Sequence, residues 1–155
     1  MNADDIAATA SWLGFELAGR DYAVPLGDVR EIIRPDAPTP VPGAPADVLG
    51  IISLRGSIII VLDGCRRLGL DGGNRGPEQR LVIFQTGDEN VAVRIDALRD
   101  VLDLDTRELV PPPAGTPMHA NDPVLGVLPR GDGSITLLDA GKLCRADEPA
   151  MEASA

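Results

Sequence analysis

Slid along itself by 69 residues, the chain meets its own pattern. Phe15 falls on Phe84, Ala23-Val24 on Ala92-Val93, Arg30-Glu31-Ile32 on Arg99-Asp100-Val101, and Val41-Pro42 on Val110-Pro111. The offset then grows to 76, where Val48-Leu49-Gly50 meets Val124-Leu125-Gly126 and Leu62-Asp63 meets Leu138-Asp139. An offset that holds across several elements and changes only inside a loop is the trace of a duplication, because loops tolerate insertions. A duplicated chain folds into two similar units. Each copy carries about five short segments rich in branched aliphatics and bounded by turn formers, which predicts an all-β fold of two small barrels or rolls packed side by side, with short helical turns.

The densest apolar stretch, Val48 to Leu70, reads as a hairpin. Val48 to Leu54 and Ser57 to Leu62 are β-branched runs, and Arg55-Gly56 reverses the chain between them, since glycine takes positive φ at little steric cost. That turn lifts the Arg55 guanidinium out of the sheet. Asp63 and Asp139 end equivalent apolar strands and are expected to accept backbone N–H bonds at the helical turns that follow. Trp12 to Leu17 and Tyr22 to Pro25 form a second hairpin around Ala18 to Asp21. Leu26 to Arg34 suits either one helical turn or a strand with a bulge. Five prolines within Pro35 to Pro45 exclude regular structure there. Asp71 to Pro77 is a linker by composition. The expected layout is a frayed 1–11, a first unit over about 12–70, a linker at 71–77, a second unit over about 80–143 and a mobile tail at 144–155.

Composition narrows the function. The net charge is −10, from 24 acidic against 14 basic residues, which repels phosphate backbones and anionic membranes. Nucleic acid is not an expected partner. Met1 to Asp5 lacks the basic start of a signal peptide and no apolar run approaches a membrane span, so a cytoplasmic protein without membrane insertion is expected. Cys65 and Cys144 have no C-x-x-C spacing and read as plain thiols. The single histidine, His119, lies in the loop insert and cannot by itself supply a metal site. Asp103, Asp105 and Glu108 lack the glycine of a Ca²⁺ loop and read as a solvated turn or helix start. No nucleophile elbow, zinc-protease motif or dinucleotide fingerprint occurs. The expectation is no catalytic residue, no metal, no cofactor and no enzyme. The rival reading is a ligand-binding or enzymatic β-barrel using the cleft between the units, with His119 and the Asp103 to Glu108 carboxylates near it.

Leu49-Gly-Ile-Ile-Ser-Leu-Arg-Gly56, followed by Ile60-Val-Leu-Asp63, resembles the G-x-x-N-L-R-G turn and P-x-x-D strand end of the CheW family of chemotaxis coupling proteins. Phe15-Glu-Leu-Ala-Gly-Arg-Asp-Tyr-Ala-Val24 is similar to the family's opening hairpin, Val29-Arg-Glu-Ile32 to its V-x-E-I element, and Ala92-Val-Arg-Ile-Asp96 with Arg99-Asp-Val101 to its G-x-x-V-D-x-V-x-x-V element. The resemblance runs from Trp12 to Leu143 in the family's order. Ser53, Ile60, Gly64, Ala92 and Arg94 depart from the family's usual Asn, Pro, Leu, Gly and apolar residue.

The resemblance implies two small SH3-like five-stranded β-barrel subdomains packed side by side and a non-enzymatic adaptor. It implies two partners: the regulatory domain of a CheA-type histidine kinase and the cytoplasmic tip of a methyl-accepting chemoreceptor. Carried over by position, Val29, Glu31, Ile32, Gly50, Arg55 and Gly56 belong to the receptor-facing groove, while the kinase-binding residues stay unassigned. A divergent coupler in a pathway other than chemotaxis, such as surface motility or second-messenger control, is the alternative.

Overall fold

The computed structural model describes residues 9–35, 37–70, 76–111 and 122–145. His119 and the 1–8, 71–75 and 146–155 segments lie outside these residues. Ten strands run in chain order as β1 (Thr9–Leu17), β2 (Arg20–Pro25), β3 (Val29–Ile33), β4 (Val48–Leu54), β5 (Ser57–Asp63), β6 (Arg80–Thr86), β7 (Glu89–Ile95), β8 (Ala97–Asp105), β9 (Val124–Arg130) and β10 (Gly133–Leu138). Helical turns α1 (Gly64–Arg67) and α2 (Ala140–Leu143) follow β5 and β10, and 3-10 turns occupy Leu26–Asp28 and Thr106–Glu108. Among the described residues no helix is long and apolar enough to cross a membrane.

The strands make two five-stranded sheets, each drawing on both copies of the repeat. Sheet I has the order β8-β1-β2-β10-β9 and sheet II the order β3-β6-β7-β5-β4. The first hairpin, β1–β2, therefore sits with the strands of the second copy, and β6–β7 with those of the first. Of the four contacts between copies, β2 with β10 and β5 with β7 are parallel, while β1 with β8 and β3 with β6 are antiparallel, as are the contacts within each copy. The reason lies in two short connections. Only Asp96 separates β7 from β8, and only Leu26–Asp28 separates β2 from β3. A one-residue link is too short for a hairpin, and the 3-10 turn at Leu26–Asp28 turns the chain without folding it back on β2, so at both places the chain continues into the other sheet. The sheets therefore do not divide at 71–77.

The two small five-stranded units that the sequence predicts are present, and neither sheet is closed. In each sheet the two outermost strands, β8 and β9 or β3 and β4, stay unjoined by a ladder. Each curl is drawn round by one isolated antiparallel bridge from a proline-rich connection, Thr39 to Ile51 in sheet II and Val110 to Val127 in sheet I. Proline has no N–H to donate, and among the described residues each connection pairs at a single residue rather than along a run. Thr39 thus takes the place that Val110 holds, although the sequence offset had matched Val110 to Val41.

Three cores result. Leu13, Phe15, Tyr22 and Val24 of sheet I meet Leu62, Val82, Phe84, Val93 and Ile95 of sheet II in the layer between the sheets. Trp12, Ala23, Leu104, Leu128, Ile135 and Leu137 fill the curl of sheet I, and Ile52, Ile59, Val61, Leu81, Ile83 and Ala92 that of sheet II. Neighbouring residues of β1, β2, β6 and β7 face different cores. That is why Leu81-Val-Ile-Phe84 and Tyr22-Ala-Val24 read as continuous apolar runs rather than alternating ones.

Candidate functional site

Arg55-Gly56 is a two-residue hairpin turn, with Leu54 paired to Ser57 on either side. Both turn residues have positive φ, +52° for Arg55 and +83° for Gly56. This is the primed geometry that matches the twist of a hairpin. Arg55 holds it despite the steric cost that a Cβ brings in this region. Its guanidinium makes a two-pronged pair with Glu31, Nη1 to Oε1 at 2.5 Å and Nη2 to Oε2 at 2.8 Å. Glu31 stands on β3 and Arg55 at the tip of β4–β5, so the pair links the two unjoined margins of sheet II. The Arg55 hydrogen bonds hold the Glu31 carboxyl below the usual glutamate range, and Glu31 raises Arg55 in turn. Arg55 remains mostly exposed, at 69% against 22% for Glu31, so a partner can reach it.

The bulge in β3 sets the neighbours of this pair. Val29 pairs with Phe84 and Glu31 with Ile83, leaving Arg30 as the extra residue. The segment left open between helix and strand holds both, a 3-10 turn at Leu26–Asp28 and then the bulged strand β3. Val29 and Ile32 lie opposite Phe84 and Val82 and pack, half-buried, against the layer between the sheets. Gly50 lies elsewhere, under the proline-rich connection, and a Cβ there would stand 2.3 Å from the Thr39 carbonyl oxygen. Val29, Glu31, Ile32, Arg55 and Gly56 gather around the β3 margin and the β4–β5 tip, whereas Gly50 has a packing role.

The two aspartates behave as the repeat suggests. Asp63 Oδ1 accepts from the Cys65 N–H at 3.0 Å and Asp139 Oδ1 from the Lys142 N–H at 3.0 Å, each capping its helical turn. Asp105 likewise accepts from the Arg107 N–H at 3.0 Å, the solvated helical start that the sequence implied. Between β7 and β8, buried Asp96 accepts the Ala18 N–H at 2.7 Å and donates its own N–H to the Glu16 carbonyl at 3.1 Å. It ties the crossover to the β1–β2 turn. Among the described residues no group of His, Cys, Asp and Glu is placed to hold a metal ion.

Both cysteines are free and buried. Burial pushes the Cys65 and Cys144 thiols up to about 12, with Asp96 adding to the shift at Cys65 and Asp28 at Cys144. Nucleophilic thiolate is therefore scarce. Maleimide labelling at pH 8 is expected to run at least about a hundredfold slower in the folded protein than in urea. Rapid labelling of either cysteine in the folded state would contradict this burial.

Two exposed apolar pairs were missed by sequence reading. Ile58 and Ile60 on β5 are 67% and 46% exposed. They continue the face that carries Leu62 into the layer between the sheets. Leu98 and Val101 on β8 are also exposed, and Val101 is the repeat equivalent of Ile32. The duplication could have located the second pair. Ile58 and Ile60 give no such signal, because a β-branched run looks equally buried along its length.

The family model described as a CheW-like domain matches residues 11–148. The chain belongs to the CheW-like family. It is 32% identical over 101 residues to the chemotaxis protein CheW of Rhizobium meliloti (strain 1021), covering 65% of each chain. The chemotaxis protein CheW of Helicobacter pylori is 24% identical over 144 residues, covering 93% of this chain and 87% of its own. Protein FrzA of Myxococcus xanthus is 30% identical over 131 residues, 83% of this chain and 81% of its own. The crystal structure of the scaffolding protein TtCheW from Thermoanaerobacter tengcongensis superposes with a TM-score of 0.79 at 27% identity, covering 89% of both chains. Fold and sequence together are those of a chemotaxis coupling adaptor.

Proposed function

We propose that this CheW-like protein is a cytoplasmic, non-enzymatic coupler that bridges the tip of a methyl-accepting chemoreceptor to the regulatory domain of a CheA-type histidine kinase. The observation that carries the reading is the Arg55–Glu31 pair, an exposed arginine held in a costly backbone conformation beside half-buried Val29 and Ile32. An amphipathic receptor helix supplies an apolar face for Val29 and Ile32 and a carboxylate for the rim, where Arg55 fixes register. Leu98 and Val101 offer the matching apolar rim on sheet I.

The kinase face is assigned to Ile58 and Ile60, with Asp88 and Glu89 beside them in the groove that β5 forms with β7. Exposed apolar groups rimmed by charge are the usual mark of a protein interface. The repeat equivalents of these isoleucines are Ser134 and Thr136, so only one sheet carries this surface. A coupler with one such face joins one kinase domain through it, and the array gains strength from holding receptor and kinase at once. Service in a pathway other than swimming is a variant of the same reading.

The test is a titration of the full chain, Arg55→Gly and Ile58→Asp against both partners, a kinase regulatory domain and a receptor tip fragment from the same organism. Glycine keeps the turn geometry and relieves its steric cost, so Arg55→Gly should keep or raise the unfolding midpoint. It should lose at least about tenfold in receptor affinity, equivalent to about 1.4 kcal/mol, with kinase affinity unchanged. Ile58→Asp should do the reverse. Loss of both partners in either variant, or of neither, overturns the two-face assignment.

A further inference from the structure

Sheet I has a two-residue turn at the place of the Arg55 site, without its arginine and with a positive φ at its first residue alone. The β9–β10 hairpin closes through Gly131-Asp132, with Arg130 paired to Gly133. Gly131 takes φ +53° against +52° for Arg55, its repeat equivalent. Edge strand β8 carries Asp100 where β3 carries Glu31. The carboxylate has been kept and the guanidinium that would meet it has not. Between β8 and the β9–β10 hairpin lies a cleft of about 420 Å³, with Phe15, Leu102 and Ile135 among its apolar lining.

The charges around this cleft favour a cation. Asp21, Asp100, Arg99 and Arg130 line it. Arg99 is engaged by Glu16 of β1. Asp21 and Asp100 make no ion pair among the described residues, and neither does Arg130. Two carboxylates therefore stand against one guanidinium, in a chain of net charge −10. The apolar lining suits the methylene stem of a long cationic side chain, and arginine's planar fork suits a carboxylate better than an ammonium does.

We propose that this cleft receives an arginine carried on a two-residue turn of a second protein molecule, with its guanidinium on Asp100. It is the intermolecular form of the contact that Arg55 and Glu31 make within sheet II. The site is separate from the kinase face and from the Arg55 rim on sheet II, and it shares strand β8 with the apolar rim of Leu98 and Val101.

The test uses the full chain, labelled with ¹⁵N, and a cyclised Ser-Leu-Arg-Gly-Ser-Ile peptide that presents arginine on a two-residue turn. A matching peptide with citrulline keeps the shape and removes the charge. Amide shifts are expected at Asp21, Asp100 and Gly131 to Ser134, with at least about tenfold weaker binding of the citrulline peptide and of the arginine peptide to Asp100→Asn. Gly131→Arg supplies the guanidinium from within and should abolish binding while leaving the spectrum of sheet II unchanged. Absence of shifts, equal binding of the two peptides, or binding that survives both variants overturns the proposal.

Discussion

Gly50→Ala is expected to destabilise the protein by about 3 kcal/mol or more, measured as the shift in urea or thermal unfolding. At φ +151° the added Cβ would lie 2.3 Å from the Thr39 carbonyl oxygen and 2.7 Å from its carbonyl carbon. Both atoms are backbone and cannot swing away. They are also fixed by a reciprocal bridge, Thr39 N–H to the Ile51 carbonyl at 2.8 Å and Ile51 N–H to the Thr39 carbonyl at 2.9 Å. Room for the methyl therefore requires breaking the bridge that draws β4 round, which loosens sheet II. Gly126 lies under Val110 in the same way, with 2.6 Å to its carbonyl oxygen, but has no positive φ. Gly126→Ala should be the milder of the two. Under the proposed two-face reading Gly50 contributes through shape alone, so its variant should lose receptor and kinase binding together, whereas Arg55→Gly should separate them. A Gly50→Ala protein with an unchanged unfolding midpoint would show that the connection is free to move.

The duplication, the hairpins and the Arg55-Gly56 turn were legible because each depends on residues close in sequence. The exchange of hairpins between sheets was not, since an offset match does not say which copy's strand a segment pairs with. One signal was present. A single residue between Ile95 and Ala97 is too short for a turn within one sheet, and it marks the crossover. The continuous apolar run Leu81 to Phe84 was a second signal, because a strand of a simple two-sided roll would alternate. Arg55 and Glu31 were both singled out by resemblance. Their direct pairing across the open margin depends on how far sheet II curls, which local pattern does not encode. Ile60 departs from the proline that the family often has there, and the structure places its side chain on an exposed face of β5.

Arg94, another departure from the family pattern, is accounted for by Asp63, and the pair gives the second large effect. Asp63 and Arg94 are register partners in the parallel β5–β7 contact, with Arg94 Nη2 to Asp63 Oδ2 at 3.0 Å. Their side chains are 9% and 17% exposed. Asp63 also caps α1, whereas its equivalent Asp139 caps α2 and among the described residues makes no ion pair with an arginine. Asp139→Ala should therefore cost about 1 kcal/mol, the ordinary loss of a cap. Asp63→Ala should cost about 3 kcal/mol, because it also strands a mostly buried guanidinium. Adding Arg94→Leu to Asp63→Ala removes that charge and restores the apolar residue common at this position in the family. The double variant should recover about 1 to 2 kcal/mol relative to Asp63→Ala alone, leaving a deficit close to that of Asp139→Ala. Urea unfolding of the four proteins measures both comparisons. Equal losses for Asp63→Ala and Asp139→Ala, with no recovery in the double variant, would mean that the Arg94 charge finds water in the single variant and that the pair adds nothing beyond the cap.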